Sequence, residues 1–306
     1  MNQSALSQDD PTSLLAAAYD WMLRHMDVSD STVADYAGRL KPFIEYVAAH
    51  GITEDSFLSY KRLLASDKSL SISTKNKKLT VARLLLRELH RRGHLARDIT
   101  LGVKGFQQTK KHKLSGLDDD DIALLREWVS TNCDRSPKNL RLTCMLLLLA
   151  YHGLRQIELC RLDYEDVDFA SSTVLILGKG RDDKEMVHLN PEVTTMLRRY
   201  CKAYRIANGR LFFSISNNAS NGKPLTTRGL RATVTRLFNE LGIDKNVHGL
   251  RHWYVSRLVQ EFPGDLFLVM SFSRHRSLDQ LQVYNDSITQ AKAYPQHDKA
   301  FQQALL

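Results

Sequence analysis

Apolar side chains recur at helical spacing along most of the chain and predict a mainly helical fold. In the first third, the pattern predicts four helices. The first covers residues 13–26, the second runs from Asp30 or Ser31 to Gly51, the third is short and capped by Thr53, and the fourth runs from about Thr74 to Arg92. The last of these carries an apolar stripe on one face, formed by Leu79, Ala82, Leu85, Leu86 and Leu89. We therefore expect the first third to be a small domain of packed helices.

The rest of the chain combines helices with one β-hairpin. Four aspartates, residues 118–121, suit the first turn of a new helix because they complement its dipole. Two short segments, Thr173–Leu177 and Glu185–Leu189, flank a turn at residues 178–181 and predict an antiparallel pair. Further helices are expected from Pro137, over 191–204, over 227–241 and over 248–261. The predicted fold class is mainly α with a small antiparallel sheet.

Composition is that of an ordinary globular protein. The chain has 306 residues, of which 43% are hydrophobic and 25% charged, and its length suggests two domains. The longest apolar run, residues 144–151, is too short to span a membrane, and the polar start does not resemble a secretory signal. The four cysteines form no CxxC pair and are expected to be reduced thiols. A cytoplasmic location is predicted.

The charge distribution indicates a polyanion as partner. Lysine and arginine outnumber aspartate and glutamate by 43 to 34, which gives a net charge of +9. Residues 61–113 alone hold fifteen basic and three acidic side chains. On the fourth predicted helix the face opposite the apolar stripe is basic, and its candidate DNA contacts are Lys77, Arg83, Arg87 and Arg91. An ordinary solvated helix face is the alternative.

Several residues of the second part have types and spacings suited to phosphate chemistry. Arg155 begins a helix with Glu158 one turn later, and His248 and Arg251 stand three residues apart on one helix face. A lysine, Lys179, lies at the turn of the hairpin, with Lys184 as a rival. His275 and Tyr284 follow nine residues apart. Each feature alone has a structural explanation.

Together, these residues resemble the tyrosine recombinases of the phage integrase family. The segments GLRQIEL, LGKGRDDKE, HGLRH and RHRSLDQLQVY are similar to the family's motifs in order and spacing. The chain departs from the family pattern at Arg274, where glycine is usual, and over residues 280–283, which lack the usual threonines. These departures remove no reactive group.

The resemblance implies a domain organisation. It assigns residues 1–103 to a helical core-binding domain, 104–116 to a basic linker and 117–306 to a catalytic domain. The segment 287–306, which ends in an apolar patch, would contact a neighbouring protomer; a helix folded back on its own domain is the rival.

The resemblance also implies a catalytic set. Tyr284 is the expected nucleophile, and Arg155 and Arg251 are expected to bind the non-bridging phosphate oxygens. Lys179 would protonate the departing 5′ oxygen. The expected remaining roles are proton transfer for His248, a hydrogen bond to the phosphate for His275, support of the arginines and of His248 for Glu158, and support or plain packing for His252. Apart from the resemblance, Arg228 and Arg231 face away from the apolar stripe of the helix over 227–241, so DNA backbone contacts are expected for them, with ordinary solvated charge as the alternative. No cofactor and no metal are implied.

The implied activity is site-specific DNA recombination. Dimers would bind inverted half-sites of duplex DNA, and a tetramer would exchange strands through a 3′-phosphotyrosyl intermediate and a Holliday junction. A type IB-like topoisomerase and a catalytically silent DNA-binding module are the alternatives. The residues name neither the target site nor an accessory protein, nor the biological outcome, such as integration, excision, inversion or resolution.

Overall fold

A computed structural model describes residues 19–20, 24–108, 116–178, 180–215 and 222–301, without the side chains of residues 287, 290–292, 300 and 301. The chain divides into two compact units, Met1–Lys110 and Lys111–Leu306. The boundary lies inside the segment predicted as linker. None of the described helices is long and apolar enough to cross a membrane.

The described part of the first unit contains a bundle of helices. Its helices are α1 (Asp30–His50), α2 (Ser56–Ser66) and α3 (Ile72–Arg91). Their apolar faces form one core, in which Phe43, Phe57 and Leu85 are fully buried. All five residues of the predicted stripe on α3 are buried. The predicted helix over 13–26 lies mostly outside the described residues.

One local prediction for this unit is wrong. Helix α2 begins at Ser56 with Asp55 at its N-cap, so Thr53 does not cap it. Instead, the Ser56 hydroxyl accepts the Thr53 amide at 2.7 Å, which ties the preceding loop to the helix. The start of the predicted linker also belongs to this unit, because both backbone groups of Phe106 bind the Asn76 side chain at 2.8 and 2.9 Å.

The second unit is larger and mostly helical. Its helices are α4 (Asp119–Asn132), α5 (Pro137–Tyr151), α6 (Gln156–Arg161), α7 (Pro191–Tyr204), α8 (Thr227–Glu240), α9 (His248–Glu261), α10 (Leu266–Ser273) and α11 (Leu278–Phe301). Asp118 caps α4 and forms a reciprocal capping box with Asp121, so the aspartate run begins a helix as predicted. The core is centred on α5, where Cys144, Met145 and Leu148 have no exposed surface.

The sheet has three antiparallel strands in the order β1 (Val167–Asp168), β2 (Thr173–Leu177), β3 (Lys184–His188). In β2, Val174 and Ile176 are buried and alternate with more exposed residues, which is the period-two pattern of a half-buried strand. Strand β3 starts one residue earlier than predicted, and the two-residue β1 was not predicted. The fold class, mainly α with a small antiparallel sheet, is confirmed.

A separate apolar cluster joins the last three helices. Val255 and Val259 of α9, Val269 of α10, and Leu281 and Tyr284 of α11 pack together. This cluster brings the candidate nucleophile next to the helix that starts with His248. The predicted apolar C-terminal patch lies outside the described part of the chain, which includes neither residues 302–306 nor the side chains at 300 and 301.

Candidate active site

The turn between α5 and α6 fixes Arg155 against a buried carboxylate. Arg155 is the N-cap of α6, and Glu158 accepts its backbone N–H at 2.8 Å and its Nη1 at 2.6 Å. The turn requires glycine at position 153, because φ is +56° there and an added Cβ would collide with the Tyr254 ring. The Glu158 side chain is 1% exposed and that of Arg155 is 31% exposed. The guanidinium of Arg155 is therefore bound to a buried carboxylate and remains partly accessible to solvent.

The first turn of α9 carries a second, buried guanidinium. Arg251 is 4% exposed and donates to the carbonyls of Gly153 and, at 2.5 Å, of Ser273. Burial, and then the neighbouring Arg155 and Arg274, lower the pKa of Arg251 to about 9. This value is above neutral pH, so the guanidinium keeps its charge.

The end of α10 supplies a third guanidinium that sequence reasoning did not assign to the site. Arg274 has a left-handed backbone with φ +56° and a side chain that is 3% exposed. Its Nη2 lies 3.2 Å from Glu158 Oε2. The only signal in the sequence was the departure from glycine at this position.

Glu158 is therefore the common partner of two arginines. Burial by itself would raise its pKa, but the charge of Arg274 and the hydrogen bonds and charge of Arg155 outweigh burial and leave the pKa below its ordinary value. Glu158 is ionised at neutral pH. These contacts place Glu158 beside Arg155 and Arg274.

His275 lies beside the three arginines and is held neutral. Its Nδ1 is hydrogen-bonded to the Ser273 hydroxyl at 2.7 Å. Burial, followed by the charges of Arg251 and Arg155, lowers the pKa of His275 to about 3. A neutral imidazole has one N–H donor, and its position depends on the direction of the Ser273 hydrogen bond.

Tyr284 is 8% exposed and is hydrogen-bonded through its hydroxyl to Nδ1 of His252. The ring of His252 in turn packs edge-on against the ring of His248, with centroids 4.7 Å apart. Burial raises the pKa of Tyr284 to about 12, although the charge of Arg251 acts in the opposite direction. The phenol is thus protonated at neutral pH. His252, for which support or plain packing was expected, binds the phenol directly.

The hairpin lies close to these groups, but its candidate lysine, Lys179, lies outside the described residues. Its neighbours are described: Gly178 lines a pocket of about 170 Å³ with Arg155, Glu158 and Arg274. On the other side, the Gly180 carbonyl accepts a hydrogen bond from Arg276 at 3.0 Å.

The rival lysine, Lys184, forms an ion pair with Asp166, whose side chain is 6% exposed. This contact gives Lys184 a partner within the fold.

The candidate DNA contacts on α3 differ in exposure. Lys77 and Arg87 are exposed, and Arg87 lies 3.3 Å from Asp98. Arg91 is exposed and forms a bidentate pair with Glu88 at 2.7 and 2.8 Å. Arg83 is half-buried.

The guanidinium of Arg83 has partners inside the first unit. It donates to the Val103 carbonyl at 2.6 Å and lies 5.1 Å from the centre of the Phe57 ring. In the second unit, Arg228 and Arg231 are exposed on α8.

This chain is similar in sequence to known recombinases. The model of the phage integrase family matches residues 117–291. A tyrosine recombinase XerC of Oceanobacillus iheyensis is 26% identical over 84% of this chain and 86% of its own. Another XerC, of Lactobacillus delbrueckii subsp. bulgaricus, is 27% identical over 72% of this chain and 75% of its own.

Solved structures share the fold. The XerH site-specific recombinase bound to a palindromic difH substrate has a TM-score of 0.71 at 22% identity, over 93% of this chain and 83% of that one. A lambda integrase fragment, bound as a dimer to a core site, has a TM-score of 0.67 at 14% identity, over 89% and 94%. Because the family model covers more than half of the residues, this chain belongs to the phage integrase family of tyrosine recombinases, as its motifs predicted.

Proposed function

We propose that this protein is a site-specific DNA recombinase that cleaves and rejoins DNA through a phosphotyrosyl intermediate. The proposal rests on one cluster of side chains. Arg155 pairs with the buried carboxylate of Glu158, Arg251 and His275 both bind Ser273, and the hydroxyl of Tyr284 is held on the adjacent helix. The DNA substrates of the similar XerH and lambda integrase structures support duplex DNA as the substrate.

The guanidiniums supply preorganised charge for the scissile phosphate. Each arginine has five N–H donors, so Arg155 and Arg251 can keep their internal contacts and still donate to non-bridging oxygens. Donors fixed before the reaction stabilise the developing negative charge without reorganisation. The neutral His275 adds a hydrogen bond to the phosphate from Nε2 when Ser273 donates to its Nδ1.

Tyr284 is the nucleophile in this mechanism. Its oxygen forms a bond to phosphorus as the bond to the 5′ oxygen breaks, which leaves a 3′-phosphotyrosyl link and a free 5′ hydroxyl. The tyrosyl proton must leave during the attack, and His252 is its hydrogen-bond partner. We assign to His252 the orientation of the phenol and to His248, which packs on it, a part in proton transfer.

Lys179 is proposed as the acid that protonates the 5′ oxygen. The ion pair of Lys184 with Asp166 favours Lys179, and so do the positions of its neighbours Gly178 and Gly180 beside Arg155 and Arg276. The phenol proton then leaves and the 5′ oxygen gains one, so protons balance over cleavage.

DNA backbone contacts are proposed for the exposed cations of both units, namely Lys77, Arg87, Arg91, Arg228 and Arg231. We leave Arg83 out of this set because its guanidinium is bound to the Val103 carbonyl. The domain roles also remain proposals: residues 1–103 bind DNA, 104–116 connect and 117–306 catalyse.

The assembly follows from the same proposal. A homodimer binds inverted half-sites, a homotetramer forms in synapsis, and the segment 287–306 contacts a neighbouring protomer. The reaction would take place on nucleoid DNA in the cytoplasm.

A plasmid recombination assay tests the proposed activity. Plasmids carrying two copies of candidate sites from the DNA beside the gene are incubated with the protein and with its Tyr284→Phe variant. We expect deletion or inversion products that depend on both sites and on Tyr284. Relaxation of supercoiled plasmids of any sequence, without recombinants, would instead identify a topoisomerase.

A further inference from the structure

The contacts of Arg274 link the two phosphate-binding candidates to each other. Its Nη1 donates to the carbonyls of His152 and Phe272 at 3.2 and 3.3 Å. Its Nη2 donates to Gly153 and to Glu158, each at 3.2 Å. One side chain therefore ties the turn before α6 to the end of α10.

Arg274 also shares a partner with each of the other two arginines. The Gly153 carbonyl accepts from both Arg274 and Arg251, and Glu158 accepts from both Arg274 and Arg155. In addition, Nη2 of Arg155 donates to the Arg274 carbonyl at 3.0 Å. The positions of the Arg155 and Arg251 guanidiniums consequently depend on residue 274.

Several features of Arg274 lower the stability of the folded protein. A non-glycine residue in the left-handed region is strained, and φ is +56° here. Among the described residues, no acceptor binds its buried Nε. Its charge also lies near Arg155 and Arg251, and with Glu158 these side chains carry a net charge of +2. Costs of this kind concentrate at functional sites, where they serve preorganisation.

We propose that Arg274 is a positioning residue of the recombinase active site. Its buried guanidinium holds Glu158 and the Gly153 carbonyl so that Arg155 and Arg251 keep the separation needed to bind one phosphate group. It acts through these two arginines, and the inference rests on the proposed cleavage activity. Its charge adds to the positive potential at the phosphate.

Another arginine of this chain offers a matched control. Arg205 follows helix α7 as Arg274 follows α10, with a left-handed backbone of φ +54°, but its side chain is exposed. Substitution by glycine relieves the same backbone strain at both positions. Only at position 274 does it also remove a buried guanidinium.

The test compares Arg274→Gly, Arg205→Gly and wild type in single-turnover cleavage of nicked duplexes. DNA affinity is measured separately in a Tyr284→Phe background, so that cleavage does not disturb it. We expect Arg274→Gly to cleave about 100-fold more slowly, because small displacements of catalytic groups cost this much. Its DNA affinity should stay within about threefold, since contacts along the backbone dominate binding. Arg205→Gly should cleave like wild type.

The possible outcomes separate this proposal from the proposed function. If wild type forms no covalent adduct with DNA, the cleavage activity itself is wrong. A wild-type rate in Arg274→Gly, with the adduct present, overturns only the role of Arg274. Arg274→Lys, which keeps the charge but not the planar fork, replaces Arg274→Gly if the latter does not fold. A parallel loss of rate and affinity in whichever variant is used also overturns the proposal, because it indicates a folding role.

Discussion

The exposed cations of α3 and the buried guanidiniums of the second unit differ in how they are held. On α3, Arg91 has a side chain that is 63% exposed and pairs with a carboxylate on its own helix. In the second unit, the side chains of Arg274 and Glu158 are 3% and 1% exposed, and they join segments more than a hundred residues apart. Water screens the first kind of contact and leaves it adjustable, whereas burial makes the second kind rigid.

This difference indicates which side chains determine the affinity for DNA and which determine the rate of cleavage. Exposed cations can release counterions when they meet phosphates, so they set a salt-dependent affinity for DNA. Buried guanidiniums with fixed acceptors cannot move far, so they favour one phosphate geometry and hence the transition state. Substitutions in the two regions should separate these two effects.

The largest expected effect is on the cleavage rate when Arg251 is replaced. Arg251→Lys keeps a positive charge but cannot donate to Gly153 and Ser273 in the same fork. Cleavage should slow by about 100- to 1,000-fold, as expected for loss of a preorganised donor. Arg257→Lys, at an exposed position of the same helix, is the control and should leave the rate unchanged. Quench-flow on nicked duplexes measures the cleavage rates of both variants. If Arg251→Lys cleaves as fast as Arg257→Lys, Arg251 does not contact the phosphate.

The next largest effect is on the free energy of unfolding when a carboxylate of either region is neutralised. Glu158→Gln leaves its arginines without a buried counter-charge, and loss of one partner of such a pair costs about 3–5 kcal/mol of folding free energy. Glu88→Gln removes a partner of the exposed Arg91, whose charge water screens, and should cost much less. Urea denaturation followed by circular dichroism measures both. Similar losses of stability in the two variants would mean that the buried and the exposed ion pairs do not differ in their contribution to folding.

Acid should destabilise the second unit before its carboxylates titrate. Burial lowers the pKa of His152 to about 4 and that of His275 to about 3, whereas both are near 6.5 when unfolded. The unfolded chain therefore binds more protons below pH 6.5, so stability falls as pH decreases from there towards these folded values. Each histidine contributes about 1.4 kcal/mol per pH unit within its window.

Denaturation curves between pH 7 and 5 measure this slope. His275→Gln and His152→Gln should each reduce it. A stability independent of pH over this range would show that neither histidine is held neutral.

The smallest expected effect is on DNA affinity. Lys77→Ala should weaken binding a few-fold and reduce the slope of log affinity against log salt by about 1. The cleavage rate at saturating DNA should not change. Lys41→Ala, on the exposed surface of α1, is the control. An unchanged salt slope in Lys77→Ala would mean that this face of α3 does not contact DNA.

Elements with strong local signals were predictable from the sequence. The apolar stripe of α3, the aspartate cap of α4 and strand β2 all depend on neighbouring residues. The motif residues at the starts of α6 and α9 also lie where the pattern placed them.

What could not be predicted depends on contacts between distant segments. Arg83 has the spacing of an edge residue on a basic face, but its partners Val103 and Phe57 are not near it in sequence. The bond between His252 and Tyr284 likewise needs the packing of α11 on α9. Strand β1 has two residues and shows no periodicity of its own.

The most direct measurement is covalent trapping on nicked duplexes from the DNA beside the gene, followed by peptide mapping of the adduct. We expect one adduct, in which the 3′ phosphate is joined to Tyr284, and none with Tyr284→Phe. An adduct that persists in Tyr284→Phe, or that maps to another tyrosine, would contradict this expectation.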